Sequence, residues 1–235
     1  WPPFDDPRVR RALALALDRE SLTRDVLRGG QIAARSFVPP GLAGYDPSTF
    51  PAGDPDEARR LLAEAGYPGG QGLRPFELLA PAVDTNRDLS TAMAARWRDV
   101  LGLRSVHLTS QEFGMYIDSC QRLAYDTAWG VWTGDYLDPS TFLDIFASSS
   151  GNNRTGWADP AYDDLLARAA VTRDETHRMS LLGQAERHLL EALPMAPLYQ
   201  RASIHLVSPR VRGFRDNLLD VHPLQDLSVV DGAPP

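Results

Sequence analysis

Between residues 125 and 157 the sequence gathers aromatic and polar side chains of the kinds that bind small ligands. The aromatic residues are Trp129, Trp132, Tyr136, Phe142, Phe146 and Trp157, and the polar ones are Asp135, Asp138, Asn152, Asn153 and Arg154. The composition of residues 125–132 predicts a buried strand, and Asp135 and Tyr136 follow it closely. Ligands of open α/β sheets bind beyond the carboxyl ends of the strands. Because an aromatic wall lowers the local dielectric, a carboxylate there attracts a cation strongly, and a ligand ammonium is one candidate.

The same residues also have a purely structural interpretation. In that interpretation Trp129 and Trp132 belong to the core, and Asp135 caps the next helix. Residues three apart on a strand point to opposite faces, so Trp129 should face the core if Trp132 faces a cleft, unless a bulge intervenes. From the residues alone, the structural and the ligand-binding interpretations stay equally open.

The two carboxylates Asp135 and Asp138 offer a rival function of another class, a hydrolase with paired acids. Only a short loop separates them, and Asp138-Pro139 is typical of the start of a helix, so we favour a protein that is not an enzyme. The serines at 148–150 lack the Gly-x-Ser-x-Gly elbow of an esterase, which favours a polar loop.

Histidine, cysteine and glycine patterns give no sign of a metal or cofactor. The histidines are His107, His177, His188, His205 and His222, and none belongs to a His-x-x-x-His pair. Cys120 is the only cysteine, so it can complete neither a thiolate metal site nor an internal disulfide. The Gly-rich stretches at 28–30 and 68–72 lack the Gly-Lys-Ser/Thr ending that grips phosphate. We therefore expect no metal and no cofactor.

The bulk composition is that of an ordinary globular chain. It has 235 residues, of which 43% are hydrophobic, and a net charge of -7. A chain of this length can bury a core without disulfide bonds. The negative charge argues against nucleic-acid binding, which needs a clustered cationic surface. No apolar run approaches the roughly 18 residues of a membrane-spanning helix, and the opening at Trp1, without Met, suggests a start inside a longer protein.

Alternating helical and strand patterns predict an α/β fold. The predicted helices lie at 6–17, 21–27, 54–65, 86–101, 112–119, 140–146, 160–169 and 174–193. The predicted strands lie at 75–80, 106–108, 125–132, 195–199 and 203–207. No Gly/Ser linker divides the chain, so we expect one α/β unit at residues 1–200 and a C-terminal extension at 201–235.

Short motifs run in order along nearly the whole chain. They are Phe4-Asp5-Asp6, Ala16-Leu17-Asp18-Arg19, Gly44-Tyr45-Asp46-Pro47, Ala63-Glu64-Ala65-Gly66-Tyr67, Trp132-Thr133-Gly134-Asp135-Tyr136, Gly151-Asn152-Asn153, Pro197-Leu198-Tyr199 and Val211-Arg212-Gly213-Phe214. Together they resemble the C-terminal lobe of the extracytoplasmic solute-binding proteins of family 5, the oligopeptide, dipeptide and nickel type that serves ABC importers.

The resemblance implies a type II periplasmic-binding-protein-like lobe, with a mixed sheet flanked by helices. Members of the family have two lobes that enclose a solute, so the first lobe would precede Trp1, and residues 201–235 would return toward it. The resemblance further implies a periplasmic or extracytoplasmic protein, free or lipid-anchored, that captures peptides and delivers them to a membrane permease.

The resemblance also implies roles for individual residues. In oligopeptide binders the aspartate matching Asp135 receives the peptide's α-amino group, and the tryptophan matching Trp132 lines the same pocket. The full set of expected ligand-binding residues is Asp135, Trp132, Tyr136, Trp129, Asn152, Asn153 and Arg154. Some peptide binders carry arginines on the strand before the tryptophan, but residues 125–130 contain none, and Arg122 and Arg154 are the candidates to replace them. The missing arginine and the additional Trp129 leave an oligosaccharide as the alternative ligand.

Overall fold

The structure is a computed structural model, and it describes residues 2–42 and 44–230. Its α-helices are α1 (Pro7–Leu15), α2 (Arg19–Ser21), α3 (Pro55–Glu64), α4 (Asp84–Leu101), α5 (Phe113–Gln121), α6 (Ser140–Leu143), α7 (Pro160–Val171) and α8 (Glu175–Ala192). Its strands are β1 (Ile32–Ala33), β2 (Phe76–Pro81), β3 (Val106–Gln111), β4 (Thr127–Ala128), β5 (Tyr199–Gln200), β6 (Val211–Arg212) and β7 (Ser228–Val229). A π-helical turn, Leu22–Leu27, extends α2, and a 3-10 turn, Asp144–Phe146, extends α6.

Four helices, α1, α3, α7 and α8, begin as the sequence predicts, at aspartates that accept hydrogen bonds from the first turn. Asp6 accepts from the backbone N–H of Arg8 at 2.8 Å, and Asp54, Asp159 and Asp174 do the same for α3, α7 and α8. Proline occupies the first turn of α1, α3 and α7, where its missing N–H has no intrahelical acceptor to lose. These contacts confirm the predicted helix starts.

A parallel sheet of three strands, in the order β3-β2-β4, forms the centre of the fold. Central strand β2 is buried along most of its length, which fits a strand covered on both faces. Helices α4 and α5 provide the crossover connections that parallel strands require. Antiparallel pairing occurs in two separate pairs, β1 with β5 and β6 with β7. The predicted α/β class is confirmed, with parallel and antiparallel strands in different sheets.

Two large apolar cores and a small third cluster of Leu79, Tyr116 and Cys120 bury the apolar side chains of the described residues. The sheet core packs α1, α3 and α4 against β2, with Val9, Leu62, Phe76 and Trp97 among its members. The helical core joins α6, α7 and α8 to the loop at residues 37–50. A buried glutamate fixes that loop, because Glu186 of α8 accepts backbone N–H groups from Phe37, Val38 and Ser48 and the hydroxyl of Tyr45, all within 3.0 Å.

Three strand predictions differ from the structure. The strand predicted at 125–132 shrinks to Thr127–Ala128, because only the backbone N–H of Trp129 still reaches β2, at Leu79 O, before the chain leaves the sheet. The strand predicted at 203–207 is wrong, since its alternating pattern finds no partner strand in the described part of the chain. The strand predicted at 195–199 reduces to Tyr199–Gln200, which pairs with Ile32–Ala33.

Residues 201–230, which we call the tail, differ from the rest of the chain in burial. A short β6–β7 ribbon and hydrogen-bonded turns hold the tail, and most of its side chains are exposed. The exposed apolar residues include Ile204, Leu206, Leu218, Val221, Leu224 and Val229. The predicted extension continues to residue 235, and residues 231–235 lie outside the described part. Among the described helices none combines the length and apolar character needed to cross a bilayer.

Candidate functional site

Trp129, the first of the predicted ligand-binding residues along the chain, lies at the carboxyl edge of the parallel sheet. Strands β2, β3 and β4 run parallel, so their carboxyl ends lie at one edge. The chain leaves β4 from this edge as residues 129–141, which we call the site segment. This is the edge at which ligands of open α/β sheets bind. A cleft of about 440 Å³ lies elsewhere, beside the amino ends of β2 and β3, and is lined by Gly70, Phe76, Gly102 and Ser105.

The site segment begins buried, at Trp129. This side chain is 8% exposed and belongs to the sheet core. Its indole N–H donates to the Ser90 hydroxyl at 2.7 Å, and its carbonyl oxygen accepts the Tyr116 hydroxyl. Its ring packs edge-on against Tyr199, with ring centres 6.5 Å apart. Trp129 therefore fixes the start of the segment, and its predicted contact with a ligand stays a prediction.

Trp132 belongs to the other core. It is half-buried and packs against the helical core, and its indole N–H donates to the carbonyl oxygen of Thr141 at 2.7 Å. Thus Trp129 and Trp132 pack against different cores. Both lie beyond the two-residue strand β4, so the strand-based expectation that Trp132 faces a cleft stays a prediction. A half-buried indole with its N–H already bonded can offer a ligand only its ring surface.

Asp135 is held by its backbone and not by its side chain. Its N–H donates to the Thr141 hydroxyl at 3.0 Å. Within residues 2–42 and 44–230, its exposed carboxylate makes no hydrogen bond and no ion pair. The alternative in which Asp135 caps the next helix is therefore wrong. Thr141 fixes both Trp132 and Asp135, and it leaves the carboxylate of Asp135 available to a cation.

Asp138, three residues on, has the opposite environment. Its carboxylate accepts two hydrogen bonds from the Arg178 guanidinium, at 2.6 and 2.8 Å, and one from the Ser140 N–H at the start of α6. Burial raises the pKa of Asp138, but the hydrogen bonds from Arg178 and Ser140 lower it, and the net pKa lies below the usual range. An ionised carboxylate engaged in this way is poorly suited to donate a proton, which argues against an acid pair with Asp135.

Tyr136 completes the exposed end of the site segment. Its side chain is 47% exposed, and its hydroxyl lies 3.3 Å from the Ser140 hydroxyl. A ring in this position adds aromatic surface beside Asp135. Trp132, Asp135 and Tyr136 thus lie in one short segment, and hydrogen bonds to Thr141 and Ser140 hold it in place.

The predicted residues of the 148–157 loop have different roles from one another. The side chain of Asn153 holds the loop together, because its amide donates to the carbonyl oxygens of Phe146 and Trp157 and its oxygen accepts from Thr155. Asn152 is exposed, and only its backbone N–H is bonded, to the Ser150 hydroxyl. Among the described residues, no hydrogen bond joins this loop to residues 129–136, although Trp132 and Trp157 pack against the same helical core.

The two candidate arginines are also placed differently. Arg122 follows the last residue of α5, is exposed, and pairs with Asp118 at 2.9 Å. Arg154 is half-buried, and its Nε–H is buried without a partner among the described residues. Its charge lies near enough to Tyr116 and Cys120 to lower their pKa values, although burial raises both pKa values overall. Of the two candidates, Arg154 is therefore the one with a buried, unsatisfied N–H.

Sequence reasoning did not single out the exposed apolar residues that follow the strand ends. Val83 follows β2, Phe113 and Met115 open the helix after β3, and Val131 follows β4, and all four are exposed. Large apolar side chains exposed at a ligand-binding edge are typical of a surface that something else covers. Their only signal in the sequence is their position just after predicted strands, which does not reveal exposure.

Comparison with known proteins places the chain among solute-binding proteins. The family model for bacterial extracellular solute-binding proteins, family 5 Middle, matches residues 1–154. The periplasmic oligopeptide-binding protein OppA of Salmonella typhimurium is 35% identical over 218 residues, which cover 90% of this chain and 40% of that protein.

Solved structures agree with the sequence comparison. The murein tripeptide binding protein MppA of Escherichia coli superposes with a TM-score of 0.88 at 33% identity, covering 99% of this chain and 47% of that one. Haemophilus influenzae OppA in complex with the peptide RPPGFSPFR superposes with a TM-score of 0.85 at 30% identity, covering 98% of this chain and 47% of that one. The chain therefore spans less than half the length of these proteins.

Proposed function

Because this chain belongs to family 5 of the bacterial extracellular solute-binding proteins, we propose that it is one lobe of a protein that captures peptides for an ABC importer. The single observation that carries the proposal is the carboxylate of Asp135, which is exposed and unpaired within the described chain at the carboxyl edge of the sheet. A peptide's α-ammonium is the cation that such a group would bind. The names of the similar proteins, oligopeptide- and murein peptide-binding, support this ligand class.

The peptide would bind by its amino end at the site segment. The Asp135 carboxylate would accept a charge-assisted hydrogen bond from the ammonium, which is stronger than a neutral one. The ring surfaces of Trp132 and Tyr136 would cover the first residue and exclude water, which strengthens the charge pairing. Arg154, whose Nε–H lacks a partner among the described residues, and Asn152 are the candidates for polar contacts farther along the peptide.

A second lobe would complete the site from the opposite side. The chain covers 40% of the Salmonella typhimurium OppA sequence, so more than half of such a protein has no counterpart here. Exposed apolar residues occur both at the carboxyl edge and in the tail, including Phe113, Met115, Ile204 and Leu206. We propose that the missing lobe covers them, that the α/β unit is residues 1–200, and that residues 201–235 return toward that lobe.

The protein would bind and release its peptide without catalysing a reaction. Asp138 is engaged by Arg178, which leaves Asp135 without a partner acid in the site segment. The intact protein would work outside the cytoplasm, as the word periplasmic in the names of its relatives suggests, and would present its peptide to a membrane permease. Lobe closure around the peptide would distinguish the loaded from the empty form.

Native mass spectrometry of the gently purified full-length protein tests the proposed ligand class. We expect a heterogeneous set of bound masses that fit short peptides, because roomy, water-filled side-chain pockets give little sequence selectivity. A single saccharide mass would replace the peptide proposal with the oligosaccharide alternative. Hydrolysis of added peptides or oligosaccharides by the purified protein would contradict the non-enzymatic proposal.

A further inference from the structure

Three potential metal ligands converge in the tail, away from the site segment. The Nε2 atoms of His205 and His222 lie 2.7 and 2.9 Å from the same carboxylate oxygen of Asp220. The three ligand atoms all lie within 4.8 Å of one another. His205 is far from the other two in sequence, and Asp220 and His222 are separated by one residue, so no local spacing motif reveals the cluster.

The surroundings hold these side chains in place. The ring of Phe214 stacks on the imidazole of His222, with ring centres 3.9 Å apart, and meets His205 edge-on at 5.1 Å. Asn217 closes the turn that carries Asp220, because its side chain bonds both the N–H and the carbonyl oxygen of Val221. These contacts restrain both imidazole rings and the turn that carries Asp220.

We propose that His205, Asp220 and His222 bind a divalent transition-metal cation of the Zn²⁺ type. Two imidazoles and a carboxylate form a ligand set that Zn²⁺ accepts, with a water molecule as the fourth ligand. In a tetrahedral site with metal–ligand distances of about 2.0–2.2 Å, neighbouring ligand atoms lie about 3.3 Å apart, so the two histidine–aspartate pairs need to open by only about 0.5 Å. The side chains are 34%, 41% and 15% exposed in chain order, so water can reach the fourth position.

Binding of the cation would restrain the tail to one conformation. The ligands come from both sides of β6, so binding one ion closes the chain between residues 205 and 222 into a loop. The tail has few buried apolar contacts of its own, and a metal–ligand link is a different source of order from packing. The proposal concerns the tail alone and does not depend on peptide binding at Asp135.

Calorimetric titration of the metal-stripped 235-residue chain with Zn²⁺ tests the proposal. We expect saturable uptake of one equivalent, and we expect His205→Ala, Asp220→Asn and His222→Ala each to weaken it at least about tenfold. His177→Ala, at an exposed position on α8, is the matched control and should leave the affinity unchanged. Because the three ligands lie outside both cores, circular dichroism should show each variant as folded as the wild type.

Titration with Co²⁺ gives a second readout that does not depend on heat. The wild-type chain should develop the visible absorption of a low-coordinate Co²⁺ site with nitrogen and oxygen ligands, and the His205→Ala, His222→Ala double variant should not. Absence of saturable uptake by the wild-type chain would show that the cluster is a hydrogen-bonded His–Asp–His group only and would overturn the proposal. Uptake that survives unchanged in the double variant would overturn it as well.

Discussion

The buried start of the site segment, Trp129, and its exposed part, Asp135 and Tyr136, are held by different contacts. At its start, Trp129 is buried in the sheet core, and its indole and backbone are all hydrogen-bonded. At its exposed end, Asp135 and Tyr136 reach solvent, and their fixation comes from Thr141 and Ser140 beneath them. The difference suggests two separate roles. Trp129 anchors the segment to the sheet, and the carboxylate of Asp135 is left unpaired at the sheet edge.

Asp135 and Asp138 show the same contrast between two carboxylates of one loop. Asp138 is paired with Arg178 and supports the start of α6, whereas Asp135 uses only its backbone N–H. An unpaired carboxylate contributes little to folding, and a carboxylate that binds a ligand cation should be unpaired before the ligand arrives. Stability measurements on variants of Trp129 and Asp138, and binding measurements on variants of Asp135, therefore test this comparison.

Replacement of Trp129 should cause the largest loss of stability. Trp129→Ala deletes a large side chain from the sheet core and leaves Ser90 without its partner, so the free energy of unfolding should fall by about 3–5 kcal/mol. Trp132→Phe is the comparison variant, because it keeps most of the ring surface and removes one hydrogen bond, which costs about 0.5–1.5 kcal/mol. Equal losses in the two variants, measured by urea unfolding, would contradict the assignment of Trp129 as the buried anchor.

The ion pair between Asp138 and Arg178 should make stability depend on acid pH. Its hydrogen bonds keep the pKa of Asp138 below the unfolded value of 3.8, so the pair stabilises the fold above that pH and loses its effect as the pH falls through the folded-state pKa. Asp138→Asn should cost about 1.5–3 kcal/mol at neutral pH, as is typical of hydrogen bonds to charged groups. The difference between wild type and variant should shrink below pH 3.8, and a constant difference across that range would count against the pair.

Thr141 should have a smaller effect on stability and a clearer effect on the site. Thr141→Val keeps the buried shape and removes the hydroxyl that accepts the Asp135 N–H, so it should cost about 0.5–1.5 kcal/mol. The carbonyl oxygen that holds Trp132 is retained, which isolates the Asp135 contact. Peptide affinity of the full-length protein should fall as Asp135 loses its fixed position. Thr141→Ser, which keeps the hydroxyl, should restore the affinity, and failure of that rescue would assign the effect to packing.

The sequence predicted the frame of the molecule better than its surface. Helix starts at Asp54 and Asp174 follow from local capping chemistry, which does not depend on the rest of the fold. The strand predicted at 203–207 failed because strand formation needs a partner that lies elsewhere in the chain. The local pattern Asp138-Pro139 indicated the carboxylate that supports α6, but its pairing with Arg178, which is 40 residues away in the sequence, could not be predicted.

The cluster in the tail shows the same limit for sites. His205 and His222 carry no local metal motif, and they come together only through the turn that Asn217 closes. Exposed apolar residues such as Phe113 and Met115 were equally invisible, because the sequence predicts their helix but not which face remains uncovered. Non-local contacts and exposure are the parts that required a structure.

The smallest effect on stability should belong to Asp135. Asp135→Asn keeps the shape and the backbone hydrogen bond to Thr141, so the free energy of unfolding should change by less than about 0.5 kcal/mol. A larger loss would mean that the carboxylate of Asp135 supports the fold and is not free to bind a ligand. Urea unfolding of wild type and variant, measured side by side with Asp138→Asn, checks this directly.

The most direct test compares free and N-acetylated forms of one peptide against wild-type and Asp135→Asn full-length protein. A charge left unpaired in a site costs about 2–5 kcal/mol, so the free peptide should lose about thirtyfold to several thousandfold in affinity on mutation. The acetylated peptide has no ammonium, so it should bind the wild type weakly and be nearly indifferent to the substitution. If the substitution leaves both affinities unchanged or weakens both equally, Asp135 is not the ammonium anchor and the central claim fails.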